Sequence, residues 1–130
     1  MSAGVALLLT SLVLFEVKHY ICDFALQTGD MFRNKGIYGH RAGYIHAGLH
    51  AVGSLPAILI ISRSPLLVLG IVAVEFLIHY HVDWLKMQFD KRRGLGVEQR
   101  LYWIVFGADQ LVHQITYTAI LAVLAQTAHL

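Results

Sequence analysis

From Gly4 to Leu26 the chain is almost wholly apolar, and three more apolar runs follow: Ala42 to Ile61, Leu66 to Leu85, and Leu101 to about Leu124. At about 1.5 Å of rise per helical residue, each run can reach across the roughly 30 Å of a bilayer's hydrocarbon core. A membrane strand needs only about half that length and alternates polar with apolar residues, which none of these runs does. The pattern predicts an all-α membrane protein, a four-transmembrane-helix bundle forming one domain over residues 1–130, with spans at about 4–26, 42–61, 66–85 and 101–124. Polar stretches separate the runs. Gln27 to Arg41 contains glycines, Ser62-Arg63-Ser64-Pro65 makes a short break, and Lys86 to Arg100 reads as a charged loop with Gly94 and Gly96.

Composition agrees with lipid as the solvent. Hydrophobic residues make up 57% of the chain and charged residues 14%, against about 25% charged in ordinary globular proteins. The formal charge of +2 is small and no basic stretch is interleaved with aromatics, so nucleic acid is not an expected partner. Cys22 is a lone cysteine with no internal disulfide partner and reads as a helix-packing residue. The first run lacks a basic leading segment and continues to His19 and Asp23, so it is expected to be a span of the mature protein rather than a signal peptide.

Charge distribution orients the spans. Arg33, Lys35 and Arg41 lie in the first polar stretch, and Lys86, Lys91, Arg92, Arg93 and Arg100 lie at the third. Four spans put those stretches on one side, which the positive-inside tendency makes cytoplasmic, leaving both termini and the Arg63 turn outside. Tyr38, Tyr44, Trp84, Tyr102 and Trp103 read as interfacial anchors. Lys91-Arg92-Arg93 is suited to anionic headgroups or to steering an anionic substrate.

Ionisable groups within a bilayer cost about 3 kcal/mol each or more unless paired, hydrated or ligated. Here Glu16, His19 and Asp23 fall on the first run, His46 and His50 on the second, Glu75, His79, His81 and Asp83 on the third, and Asp109 and His113 on the fourth. They form four i,i+4 pairs, His19/Asp23, His46/His50, His79/Asp83 and Asp109/His113. Residues four apart share a helical face, and all four pairs fit in the cytoplasmic half, so facing helices could bring them together as metal ligands. Imidazole and carboxylate suit zinc, iron, manganese or nickel, and five histidines with three aspartates exceed one tetrahedral ion's needs. One or two divalent ions, zinc foremost, are the expected cofactor, and Glu75 and Glu16 are candidates for a catalytic base or for orienting a histidine. The bland alternative is interhelical polar glue. His40 and His129 sit at span edges and read as solvated, and His81 is out of phase with its neighbours.

The stretch His19–Gly36 resembles His79–Gly96 at His19/His79, Tyr20/Tyr80, Asp23/Asp83, Asp30/Asp90, Arg33/Arg93 and Gly36/Gly96. His46/His50 fall opposite Asp109/His113 after a shift of three. Such a repeat allows two similar helical hairpins related by a pseudo-two-fold axis along the membrane normal.

The series His19-x3-Asp23-Phe24-x2-Gln27, Lys35, a second helix with His46 and His50, His79-x3-Asp83-x2-Lys86 and Asp109-Gln110-x2-His113 resembles the small bacterial and phage membrane proteins grouped as domain of unknown function 3307. The resemblance covers nearly the whole chain. It implies a four-helix membrane fold, placed in a bacterial inner membrane, and no established activity. A more distant similarity is to inner-membrane proteins described as metal-dependent hydrolases. The combined reading is a metal-dependent hydrolase acting on a lipid-linked or membrane-proximal substrate at the cytoplasmic side. Rival readings are cation or proton transport, metal binding without hydrolysis, a haem or di-iron redox protein, and a regulator with a purely structural polar core. Membrane lipids and an anionic or lipid-linked substrate are the expected partners, and homo-oligomers stay open.

Overall fold

The computed structural model describes residues 2–128, which places His129 outside the described residues. Every regular element among them is helical: α1 (Ala3–Tyr20) runs into a π turn (Ile21–Ala25), followed by α2 (Gly29–Asn34), α3 (Arg41–Gly53), α4 (Leu55–Leu59), α5 (Pro65–Arg93) and α6 (Arg100–Thr127).

Local chemistry sets the ends. Ser2 accepts from the Val5 amide at the start of α1 and Thr28 from the Met31 amide at the start of α2. Pro65 opens α5, where its missing N–H costs nothing. Gly94, at φ +60°, closes α5, with Leu95 N–H donating to the Asp90 carbonyl at 2.9 Å and Gly94 N–H to Lys91 at 3.3 Å. This is the left-handed closure that glycine adopts without strain.

Three features differ from the expectation. The third helix continues through Lys86 to Arg93, because no helix breaker precedes Gly94 and charged residues are good helix formers once clear of lipid. The first polar stretch holds α2. The second run is divided at Ser54 into α3 and α4, since Pro56 has no N–H to continue the ladder. There the Ser54 N–H donates to the His50 carbonyl at 3.1 Å.

The segments Ala3–Ala25 and Pro65–Arg93 are long and apolar enough to cross a membrane. The other two rods differ: α3–α4 is interrupted, and α6 carries Asp109, Gln110, His113 and Gln114 at mid-length. The rods close a ring in which α1 packs on α4 and α6, α3 on α5, and α5 on α6. Contacts run Ser11 to Ala57 and Asp23 to His50 between the first two rods, and His46 to Asp83 and Ser54 to Glu75 between the second and third, so successive rods are antiparallel.

Burial in this ring is inverted relative to a water-soluble bundle. On α5, Leu66 and Leu69 expose 84% and 67% of their surface while Glu75 and His79 expose 1% each. Polar groups face inward and large apolar ones outward, the arrangement that lipid rather than water favours.

Candidate metal centre

Each rod contributes one buried stripe at helical spacing: Ser11, Phe15, Lys18/His19 and Cys22 on α1 and its π turn; His46, His50, Ser54, Ala57 and Ile58 along α3 and α4; Val68, Ile71, Glu75, His79 and Asp83 on α5; Asp109, His113, Tyr117, Ile120 and Leu124 on α6. Each stripe is apolar toward one end of the bundle and ionisable toward the other. The ring therefore gathers the eight predicted ligands, His19, Asp23, His46, His50, His79, Asp83, Asp109 and His113, into one cluster. Gly43 on α3 and Gly36 in the turn after α2 let the chain approach α5 closely: a Cβ on Gly43 would lie 2.8 Å from Tyr80 Cε2, and one on Gly36 would lie 2.6 Å from Met87 Cβ.

Within the cluster, Asp23, His46, His50 and His79 form one group whose ligand atoms all lie within 4.8 Å of one another. His50 Nε2 is 3.0 Å from Asp23 Oδ1, His46 Nε2 is 3.4 Å from the same oxygen, and the Nε2 atoms of His46 and His79 are 3.4 Å apart. Ligands held about 2.0–2.1 Å from a tetrahedral zinc ion lie about 3.3 Å from each other. The closest contacts match that spacing, and the group as a whole could hold one small ion. Asp23 reaches this position from the π turn, where Leu26 N–H bonds to Ile21 O at 2.9 Å, an i to i−5 step that widens the helix around it.

A second group, His79, Asp83 and His113, shares His79 with the first. His113 Nε2 lies 3.5 Å and His79 Nε2 3.6 Å from the Asp83 carboxylate, and the His79 ring stacks on His113 at 4.0 Å and on His50 at 3.7 Å. Three protein ligands leave one tetrahedral position for water. The Nδ1 atoms of His46, His50 and His79 have no hydrogen-bond partner among the described residues. Ligation through Nε2 would shift each ring's proton to Nδ1 and exchange the present contact of His50 Nε2 with Asp23 for a bond to the ion.

The remaining two predicted ligands flank these groups. His19 has its ring nitrogens engaged by the Tyr117 hydroxyl at 2.9 Å and by Gln110 Oε1 at 2.8 Å, with Asp23 Oδ2 at 3.3 Å. Asp109 accepts from Gln110 Nε2 at 3.3 Å and lies 3.6 Å from His113. Gln110 also donates to Asp23 at 3.1 Å, so it ties both flanks to the first group. Such outer contacts orient metal ligands.

Of the two glutamates, Glu75 is buried and its Oε1 accepts from Lys18 Nζ at 2.6 Å and from Ser54 at 2.7 Å. Glu16 is half-buried, and both lie outside the ligand groups. Lys18 also donates to the His50 carbonyl at 3.1 Å, so this buried pair braces the α3–α4 break behind His50. Lys18, Ser54 and Tyr117 are the supporting residues that sequence reasoning missed. A lysine within an apolar run was the available signal, since it demands a carboxylate partner at similar depth. His81 faces away, its ring bonding to the Leu77 carbonyl and Tyr38, and His40 caps α3 by accepting from the Ala42 amide.

Lys35 Nζ contacts Asp83 Oδ2 at 3.0 Å and His46 Nε2 at 3.3 Å, linking the cluster to a cavity of about 210 Å³ lined by Asp23, Gln27, Lys35, Lys86, Asp109 and Gln110. Phe24, Phe32, Met87, Tyr102 and Phe106 complete its wall.

No curated protein and no solved structure matches the chain. The sequence profile of the family described as Protein of unknown function (DUF3307) matches residues 9–130, and the chain belongs to that family.

Proposed function

We propose that this is a four-span membrane protein that holds one or two divalent ions, zinc foremost, and hydrolyses a lipid-linked or membrane-proximal substrate at the cytoplasmic side of a bacterial inner membrane. The observation that carries the reading is the convergence of Nε2 and carboxylate oxygens at 3.0–3.4 Å around the first ligand group, beside a three-ligand group with an open position. Membrane insertion of all four rods is supported by the outward apolar face and by the grouping of Arg33, Lys35, Arg41, Lys86 and Lys91 to Arg93 at one end.

A divalent ion in the three-ligand group would supply an activated water near neutral pH. The chain's own residues do the rest. Asp109 lines the cavity and its buried Oδ1 lies 3.6 Å from His113 Nε2, so its carboxylate stands as a proton acceptor between the cavity and the three-ligand group. Glu75, held by Lys18 and Ser54, fixes the backbone of His50. Phe24, Phe32 and Phe106 give the cavity an apolar wall suited to a substrate that arrives from lipid.

Two observations favour an enzyme over its rivals. Beyond the cluster and the Lys18–Glu75 pair, Phe15, Ala57, Ile58, Val68, Ile71, Ile120 and Leu124 pack the interior as an apolar plug that a cation would have to cross. The histidine rings stack on one another, a spacing suited to a small ion rather than to a haem. The test is hydrolysis of a panel of lipid-linked esters and phosphoesters by purified protein in detergent. Activity should vanish on chelation, return with zinc and be absent from His79→Ala. Zinc-loaded protein that cleaves nothing in the panel but carries cations across proteoliposomes would replace this reading with transport.

A further inference from the structure

Two adjoining cavities connect the outer surface with the ligand cluster. The inner one, about 210 Å³, is lined by Lys35 and Lys86, and the outer one, about 380 Å³, by Lys86 and Lys91; they share Phe32, Lys86, Met87 and Tyr102. Three ammonium groups therefore mark a path from the exposed end of α5 to Asp83. The inner two are almost buried, with 12% and 11% of their side chains exposed, and buried lysines need an anionic counterpart.

Their protein partners do not exhaust them. An ammonium has three donors. Lys35 spends two, on Asp83 Oδ2 and His46 Nε2. Lys86 reaches one carboxylate oxygen, Asp90 Oδ2 at 2.8 Å, and lies 4.8 Å over the Tyr102 ring. Each has a donor left on a cavity that Gln27 and Gln110 also line.

Charge decides when that donor pair can act. Asp23, Asp83, Asp90 and Asp109 outnumber Lys35, Lys86 and Lys91 by one, so without metal the path carries no excess positive charge to hold an anion. One divalent ion turns the balance positive, and a second makes it more so. We propose that the cavity is a phosphoryl-binding subsite, in which Lys86 and Lys35 hold a phosphate monoester or diphosphate beside the ligand cluster once metal is bound. The inference rests on the metal-site reading above and names the substrate class of that same site. A phosphate group satisfies the pocket because its oxygens accept from several ammonium and amide donors at once, whereas a neutral ester offers the remaining lysine donors no charge to meet. The aromatic wall accommodates an attached apolar chain.

The experiment is calorimetric titration of inorganic phosphate into purified full-length protein in an uncharged detergent, with bound zinc counted in the same samples. Zinc-loaded protein should bind phosphate, and chelated protein should not. Lys86→Gln should keep its zinc and lose at least about tenfold in phosphate affinity, the loss of one charge-assisted hydrogen bond. Lys86→Arg should retain binding, which separates the charge from any folding defect. Competition by glycerol phosphate and by phosphatidic acid in mixed micelles then distinguishes a soluble ester from a lipid headgroup: the stronger competitor names the source, and failure of both overturns the subsite. Zinc-loaded protein that ignores phosphate, or a Lys86→Gln variant that binds it as tightly as wild type, overturns the subsite and leaves the metal site standing. Protein that takes up no zinc overturns both.

Discussion

The two ends of the bundle are built on the same four buried stripes but held together by opposite chemistry. Toward one end, Phe15 stacks on Tyr117 at a centroid distance of 5.1 Å, and Ala57, Ile58, Val68, Ile71, Ile120 and Leu124 fill the space between rods. One or two helical turns further along the same stripes, the inward positions are His19, His50, His79 and His113 with Asp23 and Asp83. Apolar packing tolerates modest change in shape, because its attraction is undirected. The ionisable end has no such latitude, since each donor needs a specific acceptor or an ion. The contrast suggests that one end holds the helices together while the other is kept for chemistry.

Substitutions at each end separate the two roles. The largest effect is expected from His79→Ala, because His79 belongs to both ligand groups: bound metal should fall to background by elemental analysis while far-ultraviolet circular dichroism stays helical. Loss of helix together with metal would make the cluster part of the scaffold.

Next in size is Lys18→Met, at the boundary between the ends. Stranding the buried Glu75 carboxylate should cost about 4 kcal/mol in a detergent-unfolding experiment, whereas adding Glu75→Gln should recover most of the loss. A double variant as unstable as the single one would show that the pair does not act as a unit.

Leu124→Ala, wholly within the apolar end, should cost about 3 kcal/mol of unfolding free energy and leave metal content unchanged. A fall in metal content would couple the two ends. The smallest effect is expected from Tyr117→Phe, which keeps the stack on Phe15 but removes the hydroxyl bonded to His19. It should cost about 1 kcal/mol and leave metal bound; a large loss of metal would promote His19 from a flanking residue to a ligand.

Much of this division was legible in the sequence. Apolar runs give the four rods, and the i,i+4 spacing of His and Asp puts each pair on one face before any neighbour is known. The antiparallel ring that joins the pairs follows from the short connections. Other features depend on information that spacing does not carry. The π turn at Asp23 and the break at Ser54 are local changes of hydrogen-bond register, visible in the sequence only as Pro56 for the second. The partnership of Lys18 with Glu75 joins rods that are not consecutive, so no pattern within one helix reveals it. The long α5 was hidden by its charge, because Lys86 to Arg93 reads as loop when charge is taken to end a helix rather than to end a span.

The most direct test of the central claim is the metal content of the purified wild-type protein, measured together with X-ray absorption at the zinc edge. The account predicts at least one ion per chain in a shell of nitrogen and oxygen ligands with imidazole scattering. Protein that remains folded but retains no metal after exposure to zinc would contradict it.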